Sequence, residues 1–180
     1  MSRPPRSWLR ATLAGLLCLL PVDGRTQTPN EAALKVALIY NFALFVDWPE
    51  DRARRDANAF LLCLAGEDTL GSAVGALEGK TIRGKRIVVR RVRQSAVDDG
   101  CDVLFVGNAE RSRLPEVAAA LGGKSVLIIS DADAAVRSGA IIGLGVEHEK
   151  MVFDVNIQAA RKQGLIVSSK LLRLSRSVVE

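Results

Sequence analysis

The 180-residue chain predicts an α/β fold: a layered sandwich with a mixed, largely parallel sheet flanked by helices, in a single domain. Three observations carry the prediction. AFLLCLA at 59–65 is a continuous apolar run of strand length, and DVLFV at 102–106 and SVLII at 125–129 are apolar after their first residue, the pattern of strands covered on both faces. Helical patterns separate these runs. Late in the chain, apolar runs at 140–146 and 151–155 flank Glu147, His148, Glu149 and Lys150, which reads as a β-hairpin and adds an antiparallel portion.

The amino-terminal stretch stands outside that fold. Arg3, Arg6 and Arg10 form a basic leader, residues 11–20 are a short apolar run, and Val22 and Gly24 suit a cleavage site. This is the pattern of a secretory signal peptide, and the run is shorter than the roughly 20 residues that span a bilayer. Residues 1–24 are expected to be removed, leaving 25–180 as an exported domain that is not itself transmembrane. Losing three arginines and Asp23 lowers the formal net charge from +5 to +3, weak evidence for any partner.

The mature chain opens on a helix over 31–48. Thr28, Pro29, Asn30 and Glu31 read as a capping box with Pro29 at the first helical position, and Pro49 is the stop. Between Leu34 and Val46 only Lys35 and Asn41 are strongly polar. Leu34, Leu38, Phe42 and Phe45 line one side; Val36, Ile39, Ala43 and Val46 line another. A helix apolar all round is buried or pressed against a partner. Both hold if one face is buried and another binds. Tyr40, Phe42, Phe45 and Trp48 concentrate the aromatic residues here.

A polar loop over 50–58 leads to the first buried run. A short helix follows at 69–77, then a turn-rich connection at 78–85 and a strand at 87–92. After the run at 102–106, residues 111–121 read as a helix with Pro115 in its first turn, stopped by Gly122 and Gly123. A short helix over 131–137 follows the third run. Beyond the hairpin come a helix over 156–163, ended by Gly164, and a last amphipathic helix. Ser168 or Ser169 caps it, and it runs through Val178.

Few motifs carry chemistry. GKTIRGKR at 79–86 nearly spells a phosphate loop, but Arg86 stands at the Ser/Thr position and the segment leads into a strand. Gly143 and Gly145 do not complete a dinucleotide fingerprint, and no nucleophile elbow is present. The one histidine, His148, falls in a turn, so most general-base arrangements are excluded; carboxylates could still act as acid and base, though the sequence does not pair them, and no metal or cofactor is expected. Asp131 and Asp133 follow the third buried run, where α/β sheets hold ligands, though capping by Asp131 explains it as well. Two cysteines, Cys63 and Cys101, remain after cleavage. In an exported chain they invite one disulfide closing a loop of 37 intervening residues, with two buried thiols as the alternative. Arg83, Lys85, Arg86, Arg90, Arg91 and Arg93 form a basic run, which is a partner surface or a charged strand edge that resists aggregation. Export and the lack of stacking aromatics there exclude nucleic acid.

The sequence resembles the YfiR-like family. The resemblance rests on IYNFALFVDWP at 39–49, LCLAG at 62–66, LEGK at 77–80, CDVLFV at 101–106, VFDVN at 152–156 and LIVSSKLL at 165–172. These motifs run in order over nearly all of the mature chain. The resemblance implies a small non-enzymatic α/β protein of the periplasm. Such a protein binds the periplasmic domain of an inner-membrane diguanylate cyclase of cyclic di-GMP signalling, or of a sensor kinase, and restrains it. It also implies a disulfide at Cys63 and Cys101. Tyr40, Phe45, Trp48, Arg90 and Arg91 are the candidate partner-binding residues, and a homodimer is compatible with this reading. The alternative is a periplasmic solute- or cell-wall-binding module with its ligand at the carboxyl edge of the sheet.

Overall fold

In the computed structural model, residues 29–50, 58–66, 70–92 and 100–180 are described. The expected signal segment, Thr28 of the expected capping box, most of the 50–58 loop and Arg93 lie outside them. The first helix, α1, spans Pro29–Leu44. Its apolar surface divides, but not along the expected sides. Phe42, expected beside Leu34 and Phe45, is buried with Val36, Ile39 and Ala43, while Leu34 and Leu44 stay exposed.

The helix was expected to continue to residue 48 but stops at Leu44. Strand β1 (Val46–Asp47) follows directly. Pro49 disfavours helical backbone at Trp48, and β1 finds a partner far along the chain in β9 (Ile166–Val167). The two form an antiparallel ladder pairing Val46 with Val167 and Asp47 with Ile166. Periodicity does not announce strands this short.

The main sheet is built from β2 (Ala59–Ala65), β3 (Thr81–Ile82), β4 (Lys85–Val92), β5 (Val103–Val106), β6 (Leu127–Ser130), β7 (Ile142–Glu147), β8 (Lys150–Asn156) and β10 (Ser177–Val179). Their order is β10-β8-β7-β6-β5-β2-β4-β3. Strands β4, β2, β5, β6 and β7 run parallel, as the apolar runs predict. The β7–β8 hairpin is antiparallel, and its tip residues His148 and Glu149 take φ of 48° and 62°, the left-handed pair that a two-residue hairpin turn needs. A second hairpin, β3–β4, turns at Arg83 and Gly84 inside what reads as a plain connection.

Helices cover both faces. On one, α1 packs over Phe60, Leu62, Val103, Phe105, Leu127 and Ile129. On the other, α2 (Leu114–Ala120) covers Cys63, Leu104, Val106 and Ile128. Alternate residues of each strand supply the two cores, as the twofold repeat of a strand requires. A 3-10 turn (Asn108–Arg113) precedes α2, in place of a longer helix, so Pro115 does sit in its first turn. Two more expected helices are 3-10 turns, Gly71–Leu77 and Ala135–Ser138. Gly139 ends the latter at φ 103°, and a Cβ there would lie 2.5 Å from the Ala118 Cβ, so the turn packs on α2 only with glycine.

Helix α3 (Ile157–Lys162) is capped by Asn156, whose Oδ1 accepts from the Ala159 amide at 2.8 Å. Helix α4 (Ser169–Leu174) is capped by Ser168. It was expected to reach Val178 but ends four residues earlier. There the Arg176 amide donates to the Phe153 carbonyl at 2.8 Å, and β10 joins the sheet parallel to β8. The Arg176 guanidinium pairs with Asp154, one residue along β8 from Phe153.

Candidate partner-binding site

The α1 helix presents two kinds of surface. Its buried face reaches the sheet through Phe42, whose ring centroid lies 4.9 Å from that of Phe153. Its outer stripe carries Leu34 and Leu44, at 42% and 44% exposure, and ends at Phe45, at 36%. The β1–β9 ladder extends the stripe. Val46 and Val167 face inward, so Asp47 and Ile166 face outward. The Ser168 amide donates to the Phe45 carbonyl at 3.0 Å and keeps that end closed. Ile166 is 67% exposed. Phe45 and Ile166 are thus exposed apolar residues on two chain segments that this ladder joins. Leu44 and Ile166 were not among the sequence candidates. The sequence holds a signal for Leu44, one of more apolar residues than one buried face of the helix can take, but none for Ile166.

Tyr40 and Trp48 lie on another flank. The Tyr40 hydroxyl donates to the Thr81 carbonyl at 3.3 Å, and Lys80 Nζ stands 4.8 Å from its ring centroid. Trp48 meets Phe60 edge-on at 5.4 Å, and the Arg83 guanidinium lies 5.8 Å from the indole. Arg83 also donates to the Val46 carbonyl at 2.9 Å and pairs with Asp47. The two rings therefore brace α1 against the β3–β4 hairpin, each with a cation over it. The indole N–H is buried without an acceptor among the described residues.

Arg90 and Arg91 are both exposed on β4 but alternate across it. Arg91 is in register with Leu64, on the α1 side, and Arg90 with Cys63, on the α2 side. The basic run is therefore not one patch. Arg83 is further separated from it by the β3–β4 turn.

At the carboxyl edge of the sheet, Asp131 does not cap the turn that follows it, whose N-cap is Ala134 without a side-chain bond. Its Oδ1 accepts from the Asn108 amide at 2.7 Å, at the start of the 3-10 turn before α2. Its Oδ2 accepts from Lys35 at 2.6 Å, and Lys35 also meets Glu31 at 2.9 Å, one turn back on α1. Burial pushes the Lys35 ammonium down, but the hydrogen bonds to Asp131 and Glu31 outweigh it and hold the group above its ordinary range. This pair locks the first helix onto the sheet end where α/β folds commonly take ligands.

Cys63 and Cys101 form a disulfide, with Cα atoms 5.8 Å apart. Both are fully buried beneath α2. Cys63 lies in β2 and Cys101 just before its parallel neighbour β5, where the Asp102 amide donates to the Leu61 carbonyl at 2.9 Å.

The family model described as YfiR/HmsC-like matches residues 32–176, from the first turn of α1 to the residue before β10. The chain belongs to that family. Among solved structures, a conserved domain protein from Vibrio cholerae is similar at 14% identity and a TM-score of 0.57, over 82% of this chain and 60% of that one. The ABC domain from Streptococcus pneumoniae, described in complex with L-Trp, is similar at 12% identity and a TM-score of 0.53, over 82% and 62%. This chain thus spans less than two thirds of either, and at such identity the likeness concerns the fold alone. For the YfiR/HmsC-like chain, the motif at 39–49 comprises the second half of α1, β1 and the residues up to Pro49. Its exposed members include Leu44 and Phe45, and its buried members tie α1 to the sheet.

Proposed function

We propose that this chain is a non-enzymatic periplasmic regulatory protein that binds the periplasmic domain of a membrane-bound signalling partner and restrains it. The partner is a diguanylate cyclase of cyclic di-GMP signalling or a sensor kinase. The observation that carries this reading is the apolar surface of Leu44, Phe45 and Ile166. Helix α1 already buries a full face, so Leu44 and Phe45 are apolar residues surplus to the core, Ile166 is exposed on the strand that pairs with β1, and exposed apolar surface commonly marks an interaction site. Family membership supports the setting, since the YfiR-like family is periplasmic. Among the described residues, no helix is long and apolar enough to cross a membrane.

Restraint requires that the chain bind the inactive state of its partner more tightly than the active one. A binding role rather than a catalytic one is supported by His148, which stands exposed at a hairpin tip. The solute-module alternative, with its ligand at the carboxyl edge, is disfavoured because Asp131 there is already engaged by Lys35 and the Asn108 amide.

The test uses the mature protein and the purified periplasmic domains of the membrane-bound diguanylate cyclases and sensor kinases of the same organism. Phe45→Asp and Ile166→Asp are expected to weaken binding at least about tenfold, as loss of an interface anchor does. Melting temperature should be nearly unchanged, and partner output in cells should rise. Variants that bind and restrain normally would remove this surface from the mechanism.

A further inference from the structure

At the amino edge of the parallel strands, opposite the Lys35–Asp131 pair, lies a cleft of about 430 Å³. It is walled by the end of α2, the 3-10 turn Ala135–Ser138 and α3. It shares no residue with the α1 stripe, and its reading stands independently of the proposed partner. The volume falls in the roughly 300–1,000 Å³ range of small-molecule sites.

Its lining has one sign of charge. Arg137 on the turn and Lys162 on α3 both contribute, and no carboxylate lines it. Neither cation has a carboxylate partner among the described residues. The third feature is Gln163, 4% exposed, whose Oε1 accepts from the Val126 amide at 3.4 Å. That bond fixes which way the amide points, and its nitrogen has no acceptor among the described residues although Gln163 lines the cleft. The amide N–H2 is thus a donor left open to the cleft, able to give a hydrogen bond to an oxygen bound there. Other polar groups nearby are already committed. The Asn156 amide donates to the Val136 carbonyl at 2.8 Å, and the Ala119 carbonyl at the end of α2 accepts from Gly122 at 3.2 Å.

We infer that this cleft binds a small organic anion through its anionic oxygens, with Arg137 and Lys162 supplying charge and the Gln163 amide a neutral donor at the floor. The guanidinium fork and the ammonium both suit a carboxylate or a phosphate ester.

The test is a titration of the isotope-labelled mature protein, followed by amide NMR, with inorganic phosphate and separately with succinate at constant ionic strength. At least one anion is expected to give saturable shifts centred on the Gln163 side-chain amide, Gly122 and Gly139. Saturation by phosphate alone identifies a phosphate ester, and by succinate alone a carboxylate. Arg137→Gln with Lys162→Gln should weaken that binding about tenfold or more, with the rest of the spectrum unchanged because both side chains are exposed. Lys162→Gln alone, a milder change, should weaken it less. The inference is overturned if neither anion saturates, if the shifts follow the basic surface generally, or if the double variant binds as the wild type does.

Discussion

Replacing Lys35 with methionine should destabilise the fold far more than its position on a surface helix suggests. Lys35 is 5% exposed, and the Asp131 side chain it meets is 7% exposed. Removing one member of a buried pair costs about 3–5 kcal/mol, because the remaining charge keeps its desolvation without its partner. Two details favour the lower end. Glu31 is 35% exposed and can rehydrate, and Asp131 retains the Asn108 amide. A loss of about 3 kcal/mol lowers the melting temperature of a domain this size by about 6–12 °C. Adding Asp131→Asn should recover part of it, with a coupling of at least about 1 kcal/mol, since the amide still accepts from Asn108 without a stranded charge. The pH dependence follows from the raised Lys35 value. The contribution is complete below about 10.5, the ordinary lysine value, and is lost as pH rises through the higher folded value. The assay is thermal unfolding by circular dichroism at pH 7 and across pH 9–12. A Lys35→Met melt within a degree or two of wild type, or a double variant that simply adds the two losses, would refute the argument.

Phe42→Ala removes a ring that is 1% exposed and packed on Phe153, and chemical denaturation should report a loss of about 3–5 kcal/mol. Cys101→Ser should lower stability by about 2–5 kcal/mol, measured the same way, because it opens the link between β2 and the start of β5. Thiol labelling of unreduced, denatured mature protein should find no free thiol, and two would contradict the bridge. Asp154 is held below its ordinary value of 3.8 by the Arg176 guanidinium, against burial, with help from the Ser177 hydroxyl. Its contribution is present above about pH 3.8 and lost as pH falls through the depressed value. Wild type and Asp154→Asn should therefore differ in stability at pH 6 and converge in strong acid. Mass spectrometry of periplasmic protein should place the mature amino terminus near Arg25.

The α/β class, the parallel centre of the sheet and the late hairpin were legible because their signals are local. AFLLCLA, VLFV and the LII of 127–129 are apolar at every position, and only strands covered on both faces tolerate that. The double character of α1 was legible for the same reason, since a helix without a polar stripe has apolar surface to spare. What the sequence alone left undecided depends on pairing between distant segments. Two-residue strands such as Val46–Asp47 and Ile166–Val167 have no periodicity of their own and exist because each satisfies the other's backbone. Ser177 and Val178 of β10 read as the end of a helix until Arg176 bonded to Phe153 and Asp154. Arg90 and Arg91 looked like one basic patch, but a strand sends neighbours to opposite faces. Lys35 looked like an isolated charge on an apolar helix, and only folding brought it 2.6 Å from Asp131, 96 residues away. Phe45 came with the helix, whereas Ile166 joined it through the ladder. Local composition therefore determined which residues had to be buried or left over. Tertiary pairing decided which of the leftovers meet, because a surface drawn from two chain segments has no trace in either segment alone.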